Sequence, residues 1–295
     1  MGRISLLFGV LAGAACAAPR PIVAQFAGVR IKVVDVGQGD GILIRTPNAR
    51  WVLLDSGANQ MLADSLAPQF GVDSLALVIV SHRHKDHYAG IETVLRHIKV
   101  GRFIGNLQDC PGNVTDDHIR QALQDQHTPT QPPGADTLEV DGVSFIILPS
   151  DPIDDVCPGE ENNNSVLVRL EYGQFSMLFA GDAEVEERDW LVANHPALLK
   201  AEVLKASHHG SNNGTSTTWL QAVAPEQVII SAGVVPRFHH PMKQAVEAYV
   251  AATGGHVHCT NRQQTVTVYG YPDGHVTVRH QLANAKSCVF DGTSY

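Results

Sequence analysis

Six consecutive residues, His82-Arg83-His84-Lys85-Asp86-His87, bring three imidazoles and a carboxylate close together in the chain. Imidazole nitrogen and carboxylate oxygen suit zinc, or a similar borderline ion such as manganese. One tetrahedral ion does not easily take all four groups from so short a loop. Two neighbouring ions do, with His82 and His84 on one and Asp86 and His87 on the other. Bound ions lower the pKa of water to about 7, so a metal-bound hydroxide is available as nucleophile at neutral pH. No G-x-S-x-G or similar pattern marks a serine or cysteine nucleophile. The chemistry expected is therefore metal-dependent hydrolysis.

Other residues carry weaker signals with competing explanations. Asp182 follows Gly181 after an apolar strand, where it is either a metal ligand or the N-cap of the helix beginning at Ala183. His240 precedes Pro241 and either contacts substrate or sits on a surface turn. Ser211 opens a stretch to Thr218 rich in Ser, Thr, Asn and Gly. That stretch either presents hydroxyls and amides to a phosphate at a helix start or is an ordinary flexible cap. Arg83 and Lys85 alternate with the ligands and either attract an anion or are solvated. His256 and His258 alternate with Val257 on a strand and read as structural. Gly37-Gln38-Gly39-Asp40-Gly41 is followed by a strand rather than a helix, so a tight β-turn is expected there and a nucleotide loop is rejected.

The elements that must position these groups are short apolar strands alternating with amphipathic helices. Strands are expected over 29–36, 41–45, 51–54, 75–80 and 102–104, with helices near 59–67, 89–98 and 115–124. Residues 128–134 hold three prolines and no periodicity, and read as a loop. A second series has strands at 137–140, 144–148, 165–172 and 175–180, then a helix over 184–194. Strands at 203–206, 228–230, 256–260, 265–269 and 275–279 follow, with helices near 218–224 and 242–251 among them. The His-rich run leaves the end of the 75–80 strand, where a rigid scaffold can aim several side chains at one point. Two β-rich halves, each ending in helices, fit one α/β unit, a four-layer αββα sandwich over residues 28–282. A C-terminal tail, 283–295, follows.

Composition sets the surroundings. Hydrophobic residues make up 44% and charged residues 17%, which excludes wholesale disorder. The net charge of −9 argues against a broad basic footprint for nucleic acid or anionic membrane. Residues 1–17 read as a signal peptide: Arg3, an apolar run from Ile4 to Ala15, then Ala15-Cys16-Ala17 as an A-x-A cleavage pattern. The protein is thus expected to be exported, periplasmic or secreted, with a lipid-anchored variant through Cys16 as the alternative. No transmembrane segment follows the signal and no protein partner is indicated. Cys110, Cys157, Cys259 and Cys288 are then expected to form two disulfides, which allow three pairings. Cys110 with Cys157 and Cys259 with Cys288 is the preferred one.

His-x-His-x-Asp-His after an apolar strand resembles the signature of the metallo-β-lactamase superfamily. Within it, Val34-Asp35-Val36-Gly37-Gln38-Gly39-Asp40 looks like the opening motif of the exported domain of ComEC-type DNA-uptake proteins. Leu53-Leu54-Asp55-Ser56-Gly57, Asn164-Ser165-Val166-Leu167, Phe179-Ala180-Gly181-Asp182, Leu204-Lys205-Ala206-Ser207-His208-His209-Gly210-Ser211 and His240-Pro241 follow in the same order. The resemblance spans roughly Val29 to Tyr269 and implies the metallo-β-lactamase fold. It implies that Asp182 bridges two zinc (or manganese) ions and that His208 is the last ligand, on the Asp86/His87 side. His208 is chosen because Ser207-His208 leaves its strand as Ser81-His82 does. His209 would then face the substrate, although the reverse assignment stays open. Asp55 would orient a ligand histidine or its loop. Asn164 marks the place where the superfamily usually has another histidine, and ComEC-type sequences likewise have asparagine there. ComEC-type domains normally accompany a membrane channel, so transport itself is not expected of this chain. The activity implied is a phosphodiesterase or nuclease, with Asp86, Asp182 and His209 catalytic and DNA as one possible substrate. A β-lactam or lactone hydrolase and a non-catalytic exported metal-binding protein are the alternatives.

Overall fold

The computed structural model describes residues 26–105, 114–150, 161–234, 238–284 and 288. The strands carry apolar side chains on both faces, and this decides the layering. Ile42, Ile44, Val52 and Leu54 share a buried cluster with Met177, Phe179, Val203 and Ile229. Their neighbours Leu43, Leu53 and Val78 point the other way, onto Leu66, Val94 and Ile119. On the far side Leu178, Leu204, Val228 and Ile230 pack against Leu191, Trp219 and Tyr249. Successive strand residues face opposite sides, so each run of apolar residues serves two clusters. Two sheets pack face to face. Helices Met61–Phe70, Ile91–His97 and Val114–Asp125 cover the first, and Val185–Asn194, Thr217–Val223 and Lys243–Thr253 cover the second. This is the αββα sandwich.

The first sheet runs in the order Val276–His280, Val266–Gly270, Val29–Val33, Gly41–Arg45, Trp51–Ser56, Leu77–Ile79, Phe103–Ile104, Thr130–Gln131. The second runs Val257–Cys259, Gln227–Ile230, Val203–Lys205, Phe175–Phe179, Val168–Tyr172, Val143–Ile147, Asp136–Val140. The strands from Trp51–Ser56 onward in the first sheet pair in parallel, as do those from Phe175–Phe179 to Val257–Cys259 in the second. The His82–His87 run, Asp182 and His208-His209 all leave the C-terminal ends of these parallel strands, where open α/β sheets place their ligand crevices.

Several expected elements change at their edges. The strand over 29–36 stops at Val33, and residues 34–40 make a wide loop instead of a tight turn. Tertiary bonds hold that loop open: Asp40 N–H donates to the Asp86 carbonyl at 3.1 Å. The strand over 75–80 divides into Ser74–Leu75, which pairs with Lys99–Val100, and Leu77–Ile79 in the main sheet. The loop at 128–134 contributes Thr130–Gln131 to the sheet edge. Ile42 pairs with Leu54 and Gly41 with Ser56, leaving Asp55 as the extra residue of a β-bulge, with φ 54°. Bulges re-aim side chains beside functional sites. Here the re-aimed side chain is Asp55.

Cys259 and Cys288 form a disulfide, with Cα atoms 5.5 Å apart. The expected Cys110–Cys157 pairing, the signal segment 1–17 with Cys16, and residues 285–287 and 289–295 of the tail lie outside the described residues. No helix among the described residues is long and apolar enough to cross a membrane.

Candidate metal centre

The centre is built from four strand ends. Asp55, at the end of Trp51–Ser56, accepts hydrogen bonds from the Ser81 N–H on Oδ1 and the Ser81 hydroxyl on Oδ2, each at 2.7 Å. Its Oδ2 also lies 2.8 Å from His87 Nδ1. These bonds settle two tautomers. His87 donates Nδ1–H to Asp55, which leaves Nε2 to offer a lone pair when a metal ion displaces its proton. Ser81 spends its only proton on Asp55, so it accepts from His82 Nδ1–H at 3.0 Å, which leaves His82 Nε2 as a lone pair too. His209 is fixed in the same way, by a 3.0 Å bond from Nδ1 to the Ser231 carbonyl.

These Nε2 atoms converge. His87 Nε2 and His209 Nε2 are 3.3 Å apart, and Asp182 Oδ2 lies 3.2 Å from the first and 3.3 Å from the second. Asp86 Oδ2 is 3.3 Å from His209 Nε2. Beside them His82 Nε2 is 3.0 Å from His84 Nδ1 and 3.9 Å from Asp182 Oδ2. Asp182 thus stands between the two groups, and its buried Oδ1 has no hydrogen-bond partner among the described residues. His82/His87/Asp182 and Asp86/His87/His209 are each spaced to hold a metal ion.

The electrostatics demand positive charge. Burial disfavours protonation of His87, yet Asp182 and Asp55 outweigh it and raise its pKa to about 10. His209 is likewise driven up against its burial, by Asp182, Asp40 and Asp86. Asp86 and Asp182, despite burial, are held well below the usual carboxylate range by His209 and His87. With no ion bound, these raised pKa values place protons on His87 and His209 that supply the positive charge the carboxylates require; a divalent cation can replace those protons at Nε2, and nitrogen–oxygen donors of this kind fit zinc or manganese. The donor set therefore fits a divalent metal.

His208 does not enter the cluster. The sequence reading placed it among the ligands, by analogy of Ser207-His208 with Ser81-His82. In the fold His208 and His209 both adopt left-handed backbone, with φ 46° and 54°. This conformation costs an L-residue about 1–2 kcal/mol. It turns His209 inward and leaves His208 bonded to Asn213 at 3.0 Å and facing Glu184 at 3.2 Å. The reversed assignment is the one the geometry matches, and His209 is a ligand candidate instead of a substrate-facing group. Asp182 is not a cap: helix Val185–Asn194 begins beyond it, after Glu184.

A cleft of about 290 Å³ opens over the cluster, lined by His84, Asp86, Asp182, His209 and His240 among others. His240 faces it. Burial, then His209 and His208, lower its pKa to about 4, so its ring is neutral at pH 7. Asn164 does not line the cleft; Asn162 does. The 3-10 turn Glu161–Asn164 explains the swap, because residues three apart share a side. Asn162 is thus aligned with Ser165, whose hydroxyl accepts the Asp182 N–H at 2.9 Å. Ser211 is buried under its turn and is not a lining residue. Arg83 is neither solvated nor aimed at the cleft: it is buried on Asp116 at 3.1 Å.

Two residues without an assigned role belong here. Asp40 is buried, 2.7 Å from Lys205 Nζ and 3.5 Å from His209 Nδ1. Burial opposes its ionisation, but Lys205 and His209 lower its pKa to about 2. A lone lysine inside the apolar strand Val203–Lys205 was the available signal, since a buried ammonium needs a carboxylate.

The metallo-beta-lactamase superfamily profile matches residues 34–234, and the chain belongs to that superfamily. It is 28% identical over 237 residues to ComE operon protein 3 of Bacillus subtilis, covering 74% of this chain and 30% of that one. It is 29% identical over 227 residues to the competence protein ComA of Neisseria gonorrhoeae, covering 76% and 30%. The chain thus spans under a third of the length of these curated relatives. Its fold is similar to that of the metallo-beta-lactamase fold protein YhfI from Bacillus subtilis. That likeness has a TM-score of 0.54 at 13% identity, over 85% of this chain and 100% of the other.

Proposed function

We infer that this chain is an exported metal-dependent phosphodiesterase that cleaves nucleic acid. The observation that carries the reading is the meeting of His87 and His209 Nε2 with Asp182 Oδ2, 3.2–3.3 Å apart, beside the His82/His84 pair. His82, His84 and Asp182 would hold one zinc or manganese ion, and Asp182, Asp86, His87 and His209 a second. Bound ions of this kind lower the pKa of water and neutralise charge on a phosphoryl group.

The chain's own residues do the rest. Asp55 fixes the ring of His87 directly and that of His82 through Ser81, so neither has to reorganise when substrate arrives. Asp86, ionised and partly exposed, orients the attacking water from the cleft side. Neutral His240 offers a hydrogen bond to the substrate, and exposed Lys85 at the rim favours an anion. Phosphodiesters are preferred to lactams and lactones because one of the relatives is named a competence protein, and because asparagines occupy the Glu161–Asn164 turn where the superfamily usually supplies histidine. A purely structural metal is normally closed by four ligands, whereas this centre opens onto a cleft.

The test is cleavage of labelled single- and double-stranded DNA by the purified protein with added zinc or manganese, beside Asp86→Ala. Metal-dependent cleavage lost in the variant supports the reading. No cleavage with either metal rules out the nuclease.

A further inference from the structure

On the first sheet, the strands Val29–Val33, Val266–Gly270 and Val276–His280 present an outward face that, with the end of helix Met61–Phe70, forms a groove of about 910 Å³. None of its lining residues lines the metal cleft. Arg30, Lys32, Arg45 and Arg279 point into it, and among the described residues Asp73 is the one acid in its lining.

The arrangement works against folding. Arg30 and Arg45 are direct cross-strand partners, and like charges in that position destabilise a sheet. Lys32, Thr267 and Arg279 form the next row across three strands. Burial and the Arg30 charge hold the Lys32 pKa below its ordinary value. Among the described residues none of the four cations has a carboxylate partner, although the chain carries a net charge of −9. Among the described residues Arg30 Nε is buried without a hydrogen-bond partner. The guanidiniums are instead held over aromatic rings: Arg30 and Arg279 lie 5.3 and 5.5 Å from the Tyr269 centroid, and Arg45 lies 5.7 Å from that of Trp51. Stacking keeps their N–H donors unspent and oriented.

We propose that this groove docks a single nucleic-acid strand by its phosphate backbone, at a site apart from the metal centre. The two rows of cations are separated by two residues along the strand, roughly 7 Å, which suits an extended polyanion better than one small anion. Basic grooves with interleaved aromatic residues are the usual platform for single strands. The proposal does not rest on the phosphodiesterase reading, because docking needs no metal.

The experiment is fluorescence anisotropy of a labelled oligothymidylate with the protein in EDTA, over a range of salt. Four phosphate contacts predict a slope of log K against log salt of about −3, at about 0.7 per contact. Lys32→Gln with Arg45→Gln should weaken binding more than tenfold at low salt and flatten the slope by about 1.4. Arg279→Gln, at an exposed position, should flatten it by about half as much and guards against misfolding of the double variant. Arg96→Gln with Lys243→Gln removes the same charge elsewhere and should change little. Absence of binding, equal weakening by both double variants, or displacement by 1 mM inorganic phosphate would each overturn the proposal.

Discussion

Asp55 Oδ2 lies 2.8 Å from His87 Nδ1, and this carboxylate reaches that ring only because Asp55 is the extra residue of a β-bulge with a left-handed backbone. A regular strand would direct the side chain along the alternation of its neighbours. The strain is kept at a point that orients two histidines, one directly and one through Ser81.

Asp55→Asn should therefore disturb the metal centre more than the fold. An amide cannot accept from both Ser81 and His87 as the carboxylate does, so the His87 tautomer is no longer fixed. Loss of such an orienting partner typically costs 10–100-fold in metal affinity or activity. Zinc competition with a chromophoric chelator checks this, with circular dichroism as the fold control.

His209→Ala and His208→Ala should differ sharply. Removing the ring that meets Asp86 and Asp182 should lower zinc affinity on the order of 100-fold or more. Removing the one bonded to Asn213 should change it less than tenfold. Equal losses in the same competition assay would return His208 to the centre.

Gly39→Ala should damage the centre from outside it. Gly39 has φ 124°, and a Cβ there would collide with the Asp86 carbonyl. That carbonyl accepts the Asp40 N–H, so one added methyl displaces both acids. The expected result is a drop in metal-dependent activity of at least tenfold with the secondary structure retained, measured by activity and far-UV circular dichroism.

The pH dependence of stability has a contributor far from the metals. His258 donates Nε2–H to Gln227 Oε1 at 2.9 Å and accepts from His280 Nε2–H at 2.8 Å. Burial, then His280 and His256, lower its pKa to about 4. An unfolded histidine titrates near 6.5, so between these values the unfolded chain binds a proton that the folded chain refuses. This stability is fully present above about pH 6.5 and is lost as pH falls toward 4, on the order of 2 kcal/mol. His258→Gln should flatten that part of a melting-temperature profile; an unchanged slope would refute the assignment.

The sequence was most informative where one local signal decided the outcome. The His82–His87 run, the alternating strands and the layered sandwich followed from spacing and periodicity alone. It was least informative where backbone conformation selects between neighbours. His208 and His209 are chemically identical, and only the two left-handed residues decide which one turns inward. Asn162 and Asn164 differ by their place in a 3-10 turn. Asp40 lies in a quoted motif, but its pairing with Lys205 joins residues 165 positions apart, which no local pattern reveals.

The most direct test of the account is calorimetric titration of the metal-free protein with zinc. The donor set described here predicts two equivalents, falling to at most one when Asp182→Asn removes the carboxylate between the two groups. A single equivalent in the unsubstituted protein, undiminished in that variant, would contradict a two-ion centre built around Asp182.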